Sequence, residues 1–315
     1  MKQLLIATLM ILMSFFTPDS WGETPPQTDA DTIALSVGGM TRHYILYAPP
    51  NLAEGAPLLI AFHPSSSSGA KMRNMSGGVL ESLARKYGFA VAYPNGYEGH
   101  FNDCRREATY HARTKNIDDI GYTRAIIDDV ATRYKSDRSR IYALGYSNGG
   151  HMVLRLALQT PDMIAGIIAV SANLPVPENN DCKIADGRPV SVVLIEGTKD
   201  RINPYQGGEV TIFGMDSRGS VMSAQDSAQW FAKRYDLGKQ NNVPAPMSVG
   251  SLTANWQDWG KDNVATKVRL ITIEGGGHTI PQSGMDYPAL LVGATFRSDV
   301  PLESAWNAIT GSTPK

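Results

Sequence analysis

Short apolar runs at 58–62, 89–93, 141–144, 164–170, 190–195 and 268–273 constrain this chain more than any other feature of its sequence. Each is largely apolar rather than alternating, which is the pattern of a strand buried on both faces. Helical patterns at 78–87, 118–134, 148–159 and 224–235 lie between them. Strand followed by helix, repeated, leads to an α/β fold with a mostly parallel central sheet and helices on both faces. Ahead of this alternation, runs at 33–37 and 43–48 flank Gly38 and Gly39 and read as a hairpin.

At 315 residues and 42% hydrophobic, the chain has enough apolar material for one large core. No internal repeat and no Pro- or Ser-rich linker divides its body, so 32–315 reads as a single domain. The segment 203–262 is the least regular part, rich in glycine and serine, and carries Trp230, Trp256 and Trp259. Those tryptophans either wall a substrate pocket or pack as ordinary core. Lysine plus arginine (29) nearly balances aspartate plus glutamate (30), so no broad field points to nucleic acid or an anionic membrane.

Lys2, an apolar run over 4–16, Pro18 and the small residues Ser20 and Gly22 read as a secretory signal peptide, 1–22, cut after Gly22, with a short linker over 23–31. A membrane anchor is the alternative, but a span needs about 20 apolar residues and this run is shorter. The mature chain is then secreted or periplasmic and free of the membrane. Only Cys104 and Cys182 occur, and in an oxidising compartment a disulfide between them is the simple reading, two buried thiols the other.

The stretch "RIYALGYSNGGHM" places Gly145, Ser147 and Gly149 directly after an apolar strand and directly before a helix. At such a sharp turn a side chain at either glycine collides with the adjoining strand and helix. The serine hydroxyl is lifted above the sheet edge, and the Asn148 N–H points where an acyl oxygen would become negative. A serine that merely caps the helix is the bland alternative. A serine nucleophile needs a base, and the base needs an orienting acid, in the order Ser, acid, His. Of the histidines after Ser147, His151 lies in the nucleophile's own helix, which leaves His278, on the loop after the last apolar run. The acid expected after an intervening strand is Asp200, with Glu196 as the alternative.

The second oxyanion donor comes from the loop after the third strand, here 63–69. Pro64 has no N–H, so the donor is Ser65, or Ser66 failing that. Asp118 or Asp119 reads as a helix cap with an acidic first turn. His100, Cys104 and His111 fit no zinc spacing, and neither metal nor cofactor is expected.

With "AYPNGY", "NIDDIGY", "GYSNGGHM", "IEGTKDRINPYQGGEV" and "GGGHTIPQ" in place, the chain resembles the polyhydroxybutyrate depolymerase-type esterases of the α/β-hydrolase superfamily, a group that takes in feruloyl and related carbohydrate esterases. The resemblance implies the same triad of Ser147, Asp200 and His278. The chain departs from the family at the oxyanion loop, where His-Gly and further small residues are usual and His63-Pro64-Ser65 stands instead. Depolymerases of solid polyester generally carry a separate surface-binding module, which is not apparent here. The expectation is therefore a serine esterase acting on small-molecule or oligomeric esters: hydroxycinnamoyl or related carbohydrate esters, or 3-hydroxybutyrate oligomers. A serine peptidase on the same fold, or a non-catalytic binding protein that kept it, are the alternatives. The oligomeric state stays open.

Overall fold

The computed structural model describes residues 30–212 and 214–312. The expected signal peptide, its cut after Gly22 and nearly all of the linker lie outside them. From Asp31 onward the chain clusters as one compact unit. Its strands are β1 (Ala30–Val37), β2 (Met40–Tyr47), β3 (Leu58–Phe62), β4 (Ala90–Pro94), β5 (Ile141–Tyr146), β6 (Gly166–Val170), β7 (Ser191–Gly197), β8 (Gly208–Glu209), β9 (Ser220–Val221), β10 (Gly238–Gln240), β11 (Met247–Val249), β12 (Leu252–Gly260) and β13 (Val268–Glu274). Its α-helices are α1 (Gly69–Met75), α2 (Val79–Tyr87), α3 (His111–Thr114), α4 (Asp119–Tyr134), α5 (Asn148–Gln159), α6 (Ala224–Arg234), α7 (Ala289–Val292) and α8 (Val300–Thr310).

The main sheet runs β1-β2-β4-β3-β5-β6-β7-β13-β12-β10, with β11 also on β12. From β4 to β13 every neighbour is parallel. The flanking pairs β2·β4 and β12·β13 are antiparallel. Because successive side chains of a strand point to opposite faces, β3 serves two cores at once. Leu58, Ile60 and Phe62 pack with Ile126 and Val130 of α4, Leu156 of α5 and Phe231 of α6. Leu59 and Ala61 pack with Leu80 and Leu83 of α2 and with Trp306 and Ile309 of α8. Helices therefore cover both faces, which is why the apolar runs show no alternation.

The least regular part of the sequence holds β12, whose burial alternates along its first residues as expected of a strand near the sheet's edge. It delivers Trp259 to one core and Trp256 to the other, while Trp230 packs partly buried against the first. Of the two readings of these tryptophans, the structure supports core. Asp118 caps α4, its Oδ1 accepting from the Gly121 N–H at 2.7 Å. Asp119 is the acidic residue of the first turn, as expected, and it is also fully buried, ion-paired to Arg42 at 2.8 Å and accepting from the Asn102 N–H at 2.7 Å. Among the described residues no helix is long and apolar enough to cross a membrane.

Candidate active site

Three loops at the C-terminal ends of the parallel strands carry the chemistry-bearing residues. Between β5 and α5, Ser147 has φ 56° and ψ −116°, a conformation that L-residues avoid unless their surroundings enforce it. Enforcement comes from close backbone approach. A Cβ on Gly145 would stand 1.9 Å from the Gly149 carbonyl oxygen, and one on Gly149 would stand 2.2 Å from that of Phe62. The chain can turn this sharply only because both positions are glycine. The Ser147 side chain makes no capping hydrogen bond to α5, so the bland account of this serine as a helix cap does not hold.

Parallel pairing of β7 with β13 brings the next two residues together. Ile273 lies opposite Gly197, and the chains beyond them stay joined: the Lys199 N–H donates to the Gly276 carbonyl at 2.8 Å, and the Gly275 N–H to Thr198 Oγ1 at 2.8 Å. Asp200 and His278 then meet, Nδ1 to Oδ2, at 2.6 Å. The other Asp200 oxygen accepts from the Ile202 and Asn203 N–H groups at 2.8 and 2.9 Å, which fixes the carboxylate's direction. A carboxylate on Nδ1 keeps the proton there and leaves Nε2 as the basic nitrogen. The His278 ring packs beside Tyr146, the residue before Ser147, with centroids 5.3 Å apart, and the Tyr146 hydroxyl donates to the His278 carbonyl at 2.7 Å. Among the described residues no hydrogen bond joins Ser147 Oγ to the imidazole; the acid–base pair is assembled and the serine stands at the neighbouring turn.

Glu196, the alternative acid, is elsewhere. It is fully buried within β7, accepts from the Ala172 N–H at 2.8 Å, and burial pushes its carboxyl well above the usual range. His151 lies buried in the first turns of α5, and burial pushes its imidazole well below the ordinary value.

The loop after β3 is held by a histidine whose role the sequence did not disclose. His63 is fully buried; its Nε2 accepts from the Gly96 N–H at 2.9 Å, so Nδ1 carries the proton and donates to the Pro64 carbonyl at 2.7 Å. Burial pushes this imidazole down to about 4. Ser65 and Ser66 form the turn, and the left-handed position falls on Ser66, with φ 55°, two residues beyond the proline. Ser67 donates its N–H to Gly99, and Ser68 caps α1 by accepting from the Lys71 N–H. The loop's start lies against the Ser147 turn, because the His63 carbonyl oxygen is 2.7 Å from where a Gly149 Cβ would sit.

Asn148, the first residue of α5, is clamped from outside the turn. Its Oδ1 accepts from the Phe101 N–H at 2.8 Å, and its Nδ2 reaches the Phe101 carbonyl, Asp103 Oδ2 and the Tyr110 hydroxyl at 3.0, 2.8 and 3.2 Å. Cys104 and Cys182 form a disulfide across 78 residues. His100 stacks on Tyr110, and His111 pairs with Glu98.

Comparison with known proteins finds esterases. Residues 104–212, a segment that holds Ser147 and Asp200, match the family described as phospholipase/carboxylesterase. The chain is 29% identical to a Nocardia uniformis subsp. tsuyamanensis protein named "Putative esterase NocK", over 94% of this chain and 87% of that one. It is 28% identical to feruloyl esterase B of Piromyces equi over 71% of this chain, and spans only 40% of that relative's length. Among solved structures, acetyl xylan esterase from Aspergillus awamori superposes with a TM-score of 0.55 at 15% identity, over 80% of this chain and 95% of that one. The chain has the α/β-hydrolase fold. The family model it matches is described as carboxylesterase, and the relatives it is similar to are named as esterases.

Proposed function

We propose that the protein is a secreted serine carboxylesterase that works through an acyl-enzyme, with Ser147 as nucleophile, His278 as base and Asp200 as the acid that orients it. The observation that carries this reading is the 2.6 Å hydrogen bond between Asp200 and His278, formed beside a serine that is held at positive φ and whose side chain makes no capping bond. In this reading His278 Nε2 takes the Ser147 proton as Oγ attacks the ester carbonyl. The Asn148 and Ser65 backbone N–H groups receive the negative charge that develops on the carbonyl oxygen. His278 then protonates the departing alcohol, and water releases the acid by the same steps. Asp200 stabilises the imidazolium without taking up its proton.

Carbohydrate esters of hydroxycinnamic acids and related soluble esters are the substrate class suggested by the relatives, with 3-hydroxybutyrate oligomers suggested by the sequence resemblance. Secretion is supported by Lys2 and the apolar run after it, and by the Cys104–Cys182 disulfide, a bond that persists in oxidising compartments.

Ser147→Ala tests the reaction. The wild-type protein is expected to hydrolyse a short-chain p-nitrophenyl ester and the variant to lose about 10⁴-fold or more in kcat. Equal rates for the two would remove the esterase reading, leaving a binding protein on this fold. Comparing kcat/KM for methyl hydroxycinnamates, acetylated sugars and 3-hydroxybutyrate oligomers then identifies the ester for which the pocket is shaped.

A further inference from the structure

Resting on the reading of the Asn148 N–H as an oxyanion donor, we propose that Asp103 is a positioning residue for that donor, held in place by the Cys104–Cys182 disulfide. Asp103 is buried and at the centre of a converging set of donors. Its carboxylate accepts from the Arg105 N–H at 2.9 Å, from Arg105 Nη2 at 2.7 Å, from the Tyr110 hydroxyl at 2.5 Å and from Asn148 Nδ2 at 2.8 Å. Arg105 is itself buried, so charge and countercharge are both out of water. A buried ion pair is weak support for stability, since desolvation consumes most of its attraction. This one lies within a single turn of chain and needs no distant element to form. What it does reach across the fold is the Asn148 carboxamide.

That contact bears on catalysis because of where Asn148 stands. The side chain and the N–H share one Cα at the start of α5, and Ser147 before it is strained. With Oδ1 and Nδ2 both engaged by Phe101, and Nδ2 also by Asp103 and Tyr110, the residue cannot rotate to relieve its neighbour. The N–H is aimed before substrate arrives, which is the condition for a donor to lower the barrier without reorganisation. Cys104 sits between Asp103 and Arg105 in sequence, so its bond to Cys182 pins both. The same face is tied further by the Arg106 N–H to the Asn179 carbonyl at 2.7 Å and the Asp181 N–H to the Cys104 carbonyl at 3.2 Å.

The test compares wild type with Asp103→Asn, Tyr110→Phe, Asn148→Ala and the double variant Cys104→Ser/Cys182→Ser, with Ser147→Ala as control. Rates on p-nitrophenyl acetate are expressed per site titrated by a fluorophosphonate, so unfolded or missing protein does not count; the Ser147→Ala control, which has no site to titrate, is expressed per mole of folded protein. Affinity for phenylboronic acid, whose serine adduct mimics the tetrahedral intermediate, is measured alongside. Each clamp variant is expected to lose roughly 10- to 100-fold in kcat per titrated site, the scale of a donor displaced rather than deleted, with KM within about twofold. Boronate affinity is expected to fall by the same factor as kcat/KM. Asn148→Ala keeps its backbone N–H and Tyr110→Phe keeps the ion pair, so these two decide the matter if Asp103→Asn fails to fold. Values of kcat per titrated site within about twofold of wild type in both, whatever their melting temperatures, would overturn the proposal and leave the clamp purely structural. A Ser147→Ala control as active as wild type would instead overturn the reading of the site itself, and this inference with it.

Discussion

The nucleophile turn and the loop after β3 face each other across the site, yet they are held by opposite means. Around Ser147 the constraint is the absence of side chains: two glycines let backbone meet backbone, and nothing larger fits. Around Ser65 the constraint is a side chain, the buried imidazole of His63, which spans from the Pro64 carbonyl to the Gly96 N–H. One device is written within five consecutive residues, while the other needs a partner 33 residues away. A turn made rigid by glycine resists titration; a loop made rigid by histidine inherits the pH dependence of its support.

The largest expected effect concerns the pair that serves the turn. Asp200→Asn would leave a neutral amide on His278 Nδ1 and disturb the tautomer, lowering kcat by about 10⁴-fold at neutral pH. Steady-state kinetics check this, and a loss under tenfold would assign the orienting role elsewhere. Next comes the loop. Ser65→Ala keeps the backbone N–H and is expected to hold kcat within about twofold, whereas Ser65→Pro removes the donor and is expected to cost roughly 10²- to 10³-fold. Equal kinetics for the two would move the donor to Ser66.

The smallest effect separates the two supports by pH. His63 titrates at about 4 in the fold against 6.5 as an unperturbed side chain. Above 6.5 both folded and unfolded chains carry it neutral and it contributes nothing to the pH dependence. Below that value the unfolded chain takes up the proton first, so stability falls as the pH drops, by about 3 kcal/mol from this group at pH 4. Urea midpoints measured from neutral to acid pH should show this slope, and His63→Gln should flatten it. An unchanged slope in the variant would locate the acid sensitivity in another group.

What could be read from the sequence divides along the same line. The parallel strands were legible because each is a closed apolar run, and α5 was legible to the residue because a glycine turn announces it. The proposed triad residues follow such runs at short distance, which is why Asp200 and His278 could be paired before their 2.6 Å contact was seen. Other features carry no local mark. The short helix α1 starts directly behind a serine run whose last member is its cap. β12 was obscured by a glycine- and serine-rich segment, although its alternation is present in "LTANWQD". Asp119 was legible as a helix-start acid, but its ion pair was not, because its partner Arg42 is 77 residues earlier. His63, and the Asp103 carboxylate on Asn148, belong to this second kind, since only the fold brings their partners to them.

The account stands on Ser147 being the atom that is acylated. Treating the wild-type protein and Ser147→Ala with a fluorophosphonate, and locating the adduct by mass spectrometry of peptides, tests it directly. Wild type is predicted to gain a single phosphonyl group on Ser147, lose its ester hydrolysis in step with labelling, and the variant to take up none. Labelling at another residue that abolishes activity equally, or undiminished hydrolysis after Ser147 is fully modified, would contradict it.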